Sequence, residues 1–94
     1  MNRSKAKLAL IGMLCKIEDP REMQFFLEQI LTSSEMSDLL DRIRIYQSLA
    51  CTEISQRDCA KSLNVSISKV TRGSSNLKNP KSKDYWKSKF NGTN

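Results

Sequence analysis

Residues Gln56-Arg57-Asp58-Cys59-Ala60-Lys61-Ser62-Leu63-Asn64-Val65-Ser66-Ile67-Ser68-Lys69-Val70-Thr71 read as two short helices joined by a tight turn. Ser55 is placed to cap the first, Gln56 to Leu63, with Asp58 three residues on at capping-box spacing. Asn64 tolerates the left-handed backbone a turn needs better than most residues do. Ser66 caps a second helix, predicted from Ile67 to about Lys78. Ala60 is small where two such helices cross, and Cys59, Leu63, Val65 and Val70 form an inward apolar face. Ile67, Ser68, Lys69, Thr71 and Arg72 are left outside on the second helix, with Gln56 and Arg57 opening the first. These side chains suit base edges, thymine methyls and phosphates, so the pattern predicts a helix-turn-helix that reads DNA. The helix starts also present free backbone N–H groups to phosphates. A plain helical hairpin with a solvated basic exterior has the same pattern, as does a helical protein whose basic face binds an acidic partner.

Upstream, three more helices are expected. One runs from about Lys5 to Ile17 and ends before Pro20, because the residue preceding a proline resists helix. A second, from about Glu22 to Ile30, carries Met23, Phe26, Leu27 and Ile30 on one stripe. Thr32-Ser33-Ser34-Glu35 offers N-caps to a third, which extends to about Cys51. Its apolar positions Met36, Leu39, Leu40, Ile43, Tyr46, Leu49 and Ala50 recur at three and four residues. Downstream, Asn79-Pro80 ends the second helix of the opening motif. Ser82 can cap a last helix to about Phe90, beyond which the lysine-rich end is expected to fray. The fold class expected is all-α with six helices.

Charge divides the chain unevenly. Residues 55–94 carry nine Lys/Arg against Asp58 and Asp84, whereas the first 54 carry seven basic and eight acidic groups. A basic segment joined to a near-neutral one suits a polyanion-binding module on an assembly region. Ninety-four residues with 38% apolar content make one small domain, whose core gains most by being shared with a second copy. An enzyme is disfavoured by the lack of histidine, of a glycine-rich phosphate loop and of a carboxylate pair in a plausible cleft. Cys15, Cys51 and Cys59 have no CxxC spacing, so neither zinc nor a disulfide framework is expected, and each is expected as a buried thiol. The apolar run Leu8 to Cys15 is too short for a membrane span and is followed by no small-residue cleavage site. A soluble, cytoplasmic protein is expected.

Four stretches carry a family resemblance: Ile30-Leu31-Thr32, Arg42-Ile43-Arg44-Ile45, Ser55-Gln56-Arg57, and Thr71-Arg72-Gly73-Ser74 continuing to Leu77-Lys78. Together they resemble the tryptophan repressor family, roughly from Phe26 to Pro80. The most specific part is Ile54 to Arg57 with Val70 to Ser74 at the right separation. The resemblance implies an intertwined homodimer with residues 1–54 as dimerisation core, 55–79 as reading head and 80–94 as C-terminal helix. It implies a repressor of tryptophan biosynthesis or uptake genes on double-stranded, palindromic operator DNA. Its corepressor would be L-tryptophan, with no other cofactor, held between the core of one subunit and the recognition helix of the other.

By the same resemblance, Leu31 (through its carbonyl), Thr32 and Arg42 match the core-side ligand contacts, and Arg72 and Gly73 those of the recognition helix. Asn76 stands where the family has a serine near the ligand's amino group. That is compatible with a different effector or none. The chemistry is sensible in itself, since a planar guanidinium can stack on an indole and pair with a carboxylate. Gly73 would leave room for the ring. Ser68 and Lys69 differ from the family's usual residues, so the operator need not be the same.

Overall fold

Each helix starts where a polar side chain takes up an N–H that the helix itself cannot satisfy. Asn2 Oδ1 accepts from the Lys5 N–H at 2.9 Å and starts α1, Arg3–Lys16. Asp19 Oδ1 accepts from the Arg21 N–H at 3.0 Å and starts α2, Pro20–Ile30, with the proline where its missing donor is harmless. Thr32 and Glu35 form a reciprocal capping box, with Thr32 Oγ1 accepting at 3.1 Å and Glu35 Oε1 at 2.8 Å, and open α3, Ser33–Cys51. Ser55 and Ser66 cap α4, Gln56–Leu63, and α5, Ile67–Asn76, accepting from Asp58 and Lys69 N–H groups at 3.1 and 3.2 Å. Between them Asn64 adopts φ 56° and ψ 48°, the one non-glycine left-handed residue among those described. The last helix is α6, Pro80–Asn91.

This computed structural model describes residues 1–91, in which there are six α-helices and no strand. The expected fraying and the end of the last segment, residues 92–94, lie outside them. Four boundaries differ from expectation by two residues or more. The first and second helices start two residues early, at Arg3 and Pro20. The last starts three residues early, at Pro80, and Asn79 rather than Ser82 accepts from the Lys81 N–H at 2.9 Å. Helix α5 ends at Asn76 instead of Lys78, because Leu77 leaves helical geometry with its N–H on the Gly73 and Ser74 carbonyls, its side chain buried.

Two compact units emerge, Met1–Met36 and the chain from Ser37 onward. In the first, no described residue is buried, and Leu8, Ile11, Met13 and Phe25 are largely exposed. The second holds the core. Ile45, Cys59 and Val70 are buried together, flanked by Leu49, Ile54, Ala60, Leu63 and Val65. Tyr46, Ala50 and Leu77 form a second cluster with Leu49, Cys51, Trp86 and Phe90. The buried face of α3 is therefore centred on Ile45, Tyr46 and Ala50, and the expected stripe is rotated. Leu39, Leu40 and Ile43 remain exposed on another side of the same helix. The cysteines also divide: Cys59 is buried, Cys51 half-buried and Cys15 exposed, on a helix that has no buried residue.

Gly73 marks the closest approach of α5 to α3. A Cβ built there would stand 2.7 Å from Ile45 Cγ2, a β-branched side chain itself only 2% exposed. Gly73→Ala is expected to destabilise the protein by about 1–3 kcal/mol through overpacking. Urea unfolding checks this, and an unchanged midpoint would refute the close-approach reading.

Candidate functional site

Because α5 lies so close to α3, the side chains that flank Gly73 meet those of the facing helix across a shared cleft. Asp38, Asp41, Arg42 and Ile45 of α3 line it with Lys69, Arg72 and Gly73 of α5, around about 420 Å³ of space with its open mouth included. Arg42 and Arg72 make no ion pair or side-chain hydrogen bond among the described residues, and both are exposed. Their planar, permanently charged heads thus border one cleft uncommitted. Of the six expected ligand residues, the structure brings together Arg42, Arg72 and Gly73.

The others stand elsewhere. Asn76 Nδ2 donates to Tyr46 Oη at 2.8 Å and does not line the cleft. Leu31 and Thr32 belong to the first unit, where the Leu31 N–H closes α2 on the Leu27 carbonyl at 2.9 Å and Thr32 caps α3.

Lys69, expected as a groove-facing residue, turns into the cleft. Its Nζ lies 2.9 Å from Asp41 Oδ2 and 3.1 Å from Asp38 Oδ1. The Asp41 hydrogen bond first, and the Asp38 bond second, push the Lys69 ammonium above the ordinary lysine range. Sequence reasoning passed over both aspartates. Only the helical spacing of Asp41 and Arg44, whose Nη1 lies 3.5 Å from Asp41 Oδ1, was there to be read. Elsewhere in the core, burial pushes the Cys59 thiol up, partly offset by a hydrogen bond with Ser48.

On the outer side, Ile67, Ser68, Thr71 and Arg72 border one open depression, with Ile67 51% exposed. Gln56 locks the start of α4 onto α5: its Nε2 donates to Ser74 Oγ at 3.0 Å and its Oε1 accepts from Thr71 Oγ1 at 3.2 Å. Ser74 is thereby part of this face, a role its sequence position did not signal. Arg57 is exposed beside Gln56. Among the described residues no helix is long and apolar enough to cross a membrane, and no group of His, Cys, Asp or Glu is clustered to hold a metal.

Comparison with known proteins gives concordant matches. The family described as Trp repressor protein matches residues 6–90. A Trp operon repressor homolog of Xylella fastidiosa (strain M23) is 49% identical over 90 residues, covering 96% of this chain and 98% of its own. A Trp operon repressor homolog of Chlamydia caviae is 38% identical over 77 residues, 79% of this chain and 76% of its own. One from Chlamydia trachomatis serovar D is 32% identical over 79 residues, 82% and 84% of the two chains. No solved structure matches the chain.

The Lys69 pairing has a defined pH signature. With its folded value raised, the ion pair's contribution is fully present below the unfolded lysine value of about 10.4 and is lost as pH rises through the folded one. The stability difference between wild type and Lys69→Met should stay level from neutral pH to about pH 10 and shrink above it. Urea unfolding across that range is the check, and a difference growing with alkalinity would contradict the assignment.

Proposed function

Because the chain belongs to the Trp repressor protein family of transcriptional regulators, we propose that it is a homodimeric repressor reading operator DNA through α4, the Asn64 turn and α5, with L-tryptophan as corepressor. The observation that carries this reading is the cleft in which Arg42 and Arg72 flank Gly73 with their guanidinium groups unpaired. A flat zwitterion has an indole face for one guanidinium to stack on and a carboxylate for another to pair with. In this reading Arg42 joins Arg72 and Gly73 of its own chain, rather than facing them from the other subunit as the resemblance implied, and Leu31 and Thr32 complete the site from a partner subunit.

On the DNA side, Gln56 and Arg57 contact phosphates, and Ile67, Ser68 and Thr71 face the major groove, Lys69 joining them when its ion pairs open. The regulated genes serve tryptophan biosynthesis or uptake, and the protein acts in the cytoplasm, where that DNA lies. Residues 1–54 act as dimerisation core, 55–79 as reading head and 80–94 as C-terminal helix. The dimer is supported by exposed apolar side chains on α1, α2 and the second face of α3, which a second copy covers. A different effector is the second reading, favoured by Asn76, which is tied through its amide nitrogen to Tyr46 and does not line the cleft where its Oδ1 would have to accept from a ligand's amino group.

Isothermal titration with L-tryptophan and with indole acids lacking the amino group separates the two readings. L-Tryptophan should bind, should tighten binding to operators selected from random duplexes by about 5- to 150-fold, and should lose about tenfold or more in affinity in Arg72→Ala. Tightening by the amino-free acids alone would favour the second reading, and no response to either would remove the corepressor. In sedimentation, the pair Leu40→Glu and Ile43→Glu should abolish the dimer.

A further inference from the structure

We propose that Asp41 is a positioning residue that sets the attitude of both α4 and α5 before any ligand arrives; the proposal rests on the operator- and ligand-binding reading above. The carboxylate holds α5 directly and α4 through Arg44 of its own helix. Its Oδ2 accepts from Lys69 Nζ of α5 at 2.9 Å, and its Oδ1 lies 3.5 Å from Arg44 Nη1. Arg44 Nη2 in turn donates at 3.0 Å to the carbonyl of Leu63, the last residue of α4. Carbonyls in a helix's last turn have no partner within the helix, and a guanidinium is a strong charge-assisted donor to them. The links from α5 and from the end of α4 therefore converge on Asp41 from either side of the Asn64 turn.

Relative shielding makes Asp41 the pivot. Its side chain is 20% exposed, against 56% for Asp38 and 41% for Lys69, so solvent screens it least of the three. Asp41 and Lys69 also line the cleft with Arg42, Arg72 and Gly73. A ligand lodged there and the Asp41 links restrain the same motion of α5 against α3. Two restraints on one motion share its ordering cost, so each contributes less when the other is present. Asp41 accordingly supplies in the ligand-free chain part of what the ligand supplies when bound, and its removal makes DNA binding more ligand-dependent.

Simple electrostatics has the opposite sign. Neutralising Asp41 removes a negative charge and frees Lys69, which by itself strengthens binding to a polyanion. The test is operator binding by full-length Asp41→Asn with and without L-tryptophan. Ligand-free affinity should fall about fivefold and ligand-bound affinity by less than about twofold, with Asp41→Glu recovering part of the loss. Equal losses in the two states would reduce Asp41 to a structural role, and tighter ligand-free binding would overturn the proposal. If wild type ignores tryptophan, the corepressor reading fails on its own. Asp41 is then judged by amide hydrogen exchange of the ligand-free chain, where Asp41→Asn should speed exchange in α4 and α5 but not α6. Unchanged exchange there would overturn it.

Discussion

The approach of α5 to α3 at Gly73 is the contact from which the arrangement of the second unit follows. It exists because Gly73 presents no side chain to Ile45, and it seats Val70 and Leu77, three residues before and four after, in the two buried clusters. That single stripe divides the remaining surface of α5 in two. Lys69 and Arg72 border the cleft, while Ile67, Ser68 and Thr71 face outward. Arg72 borders both sides, so any group that holds its guanidinium acts at the edge of the outward face.

How legible a feature was depended on how local its cause is. Ser55, Asn64 and Ser66 act within three residues of themselves, and the helix ends they set were read correctly. The end of α5 was missed because the pull on Leu77 comes from Tyr46 and Ala50, about thirty residues away in sequence. At the start of α6, Asn79 and Ser82 are both able caps, and Pro80, suited to a first helical position, decides for Asn79. Periodicity could not choose between the faces of α3, since one helix carries Leu39, Leu40 and Ile43 on one side and Ile45, Tyr46 and Ala50 on another. In the site, Arg42, Arg72 and Gly73 were legible through the family resemblance. The pairing of Lys69 with two aspartates and of Asn76 with Tyr46 spans helices that no spacing rule connects.

These pairings change the meaning of the charge asymmetry. The basic excess beyond Ser55 is not one uniform face, because Lys69 is neutralised inside the unit by carboxylates that lie on the near-neutral stretch before it. What remains outward around the motif is Arg57, Lys61 and Arg72, with Lys78 beyond the end of α5. The distinction between cleft and outer face is thus electrostatic as well as geometric.

Trp86 is the only tryptophan in the chain, and its ring lies 5.0 Å from that of Tyr46 on α3, 5.3 Å from Tyr85 and 6.0 Å from Phe90. The native fluorescence therefore has one origin, the seam of α6 against α3. Light absorbed by Tyr46 passes readily to the indole across that seam, whereas Tyr85 moves with Trp86 on α6, so loss of the Tyr46 transfer records the detachment of α6 alone. The molecule carries its own optical gauge of one seam, and no second indole of the chain adds a signal from the cleft.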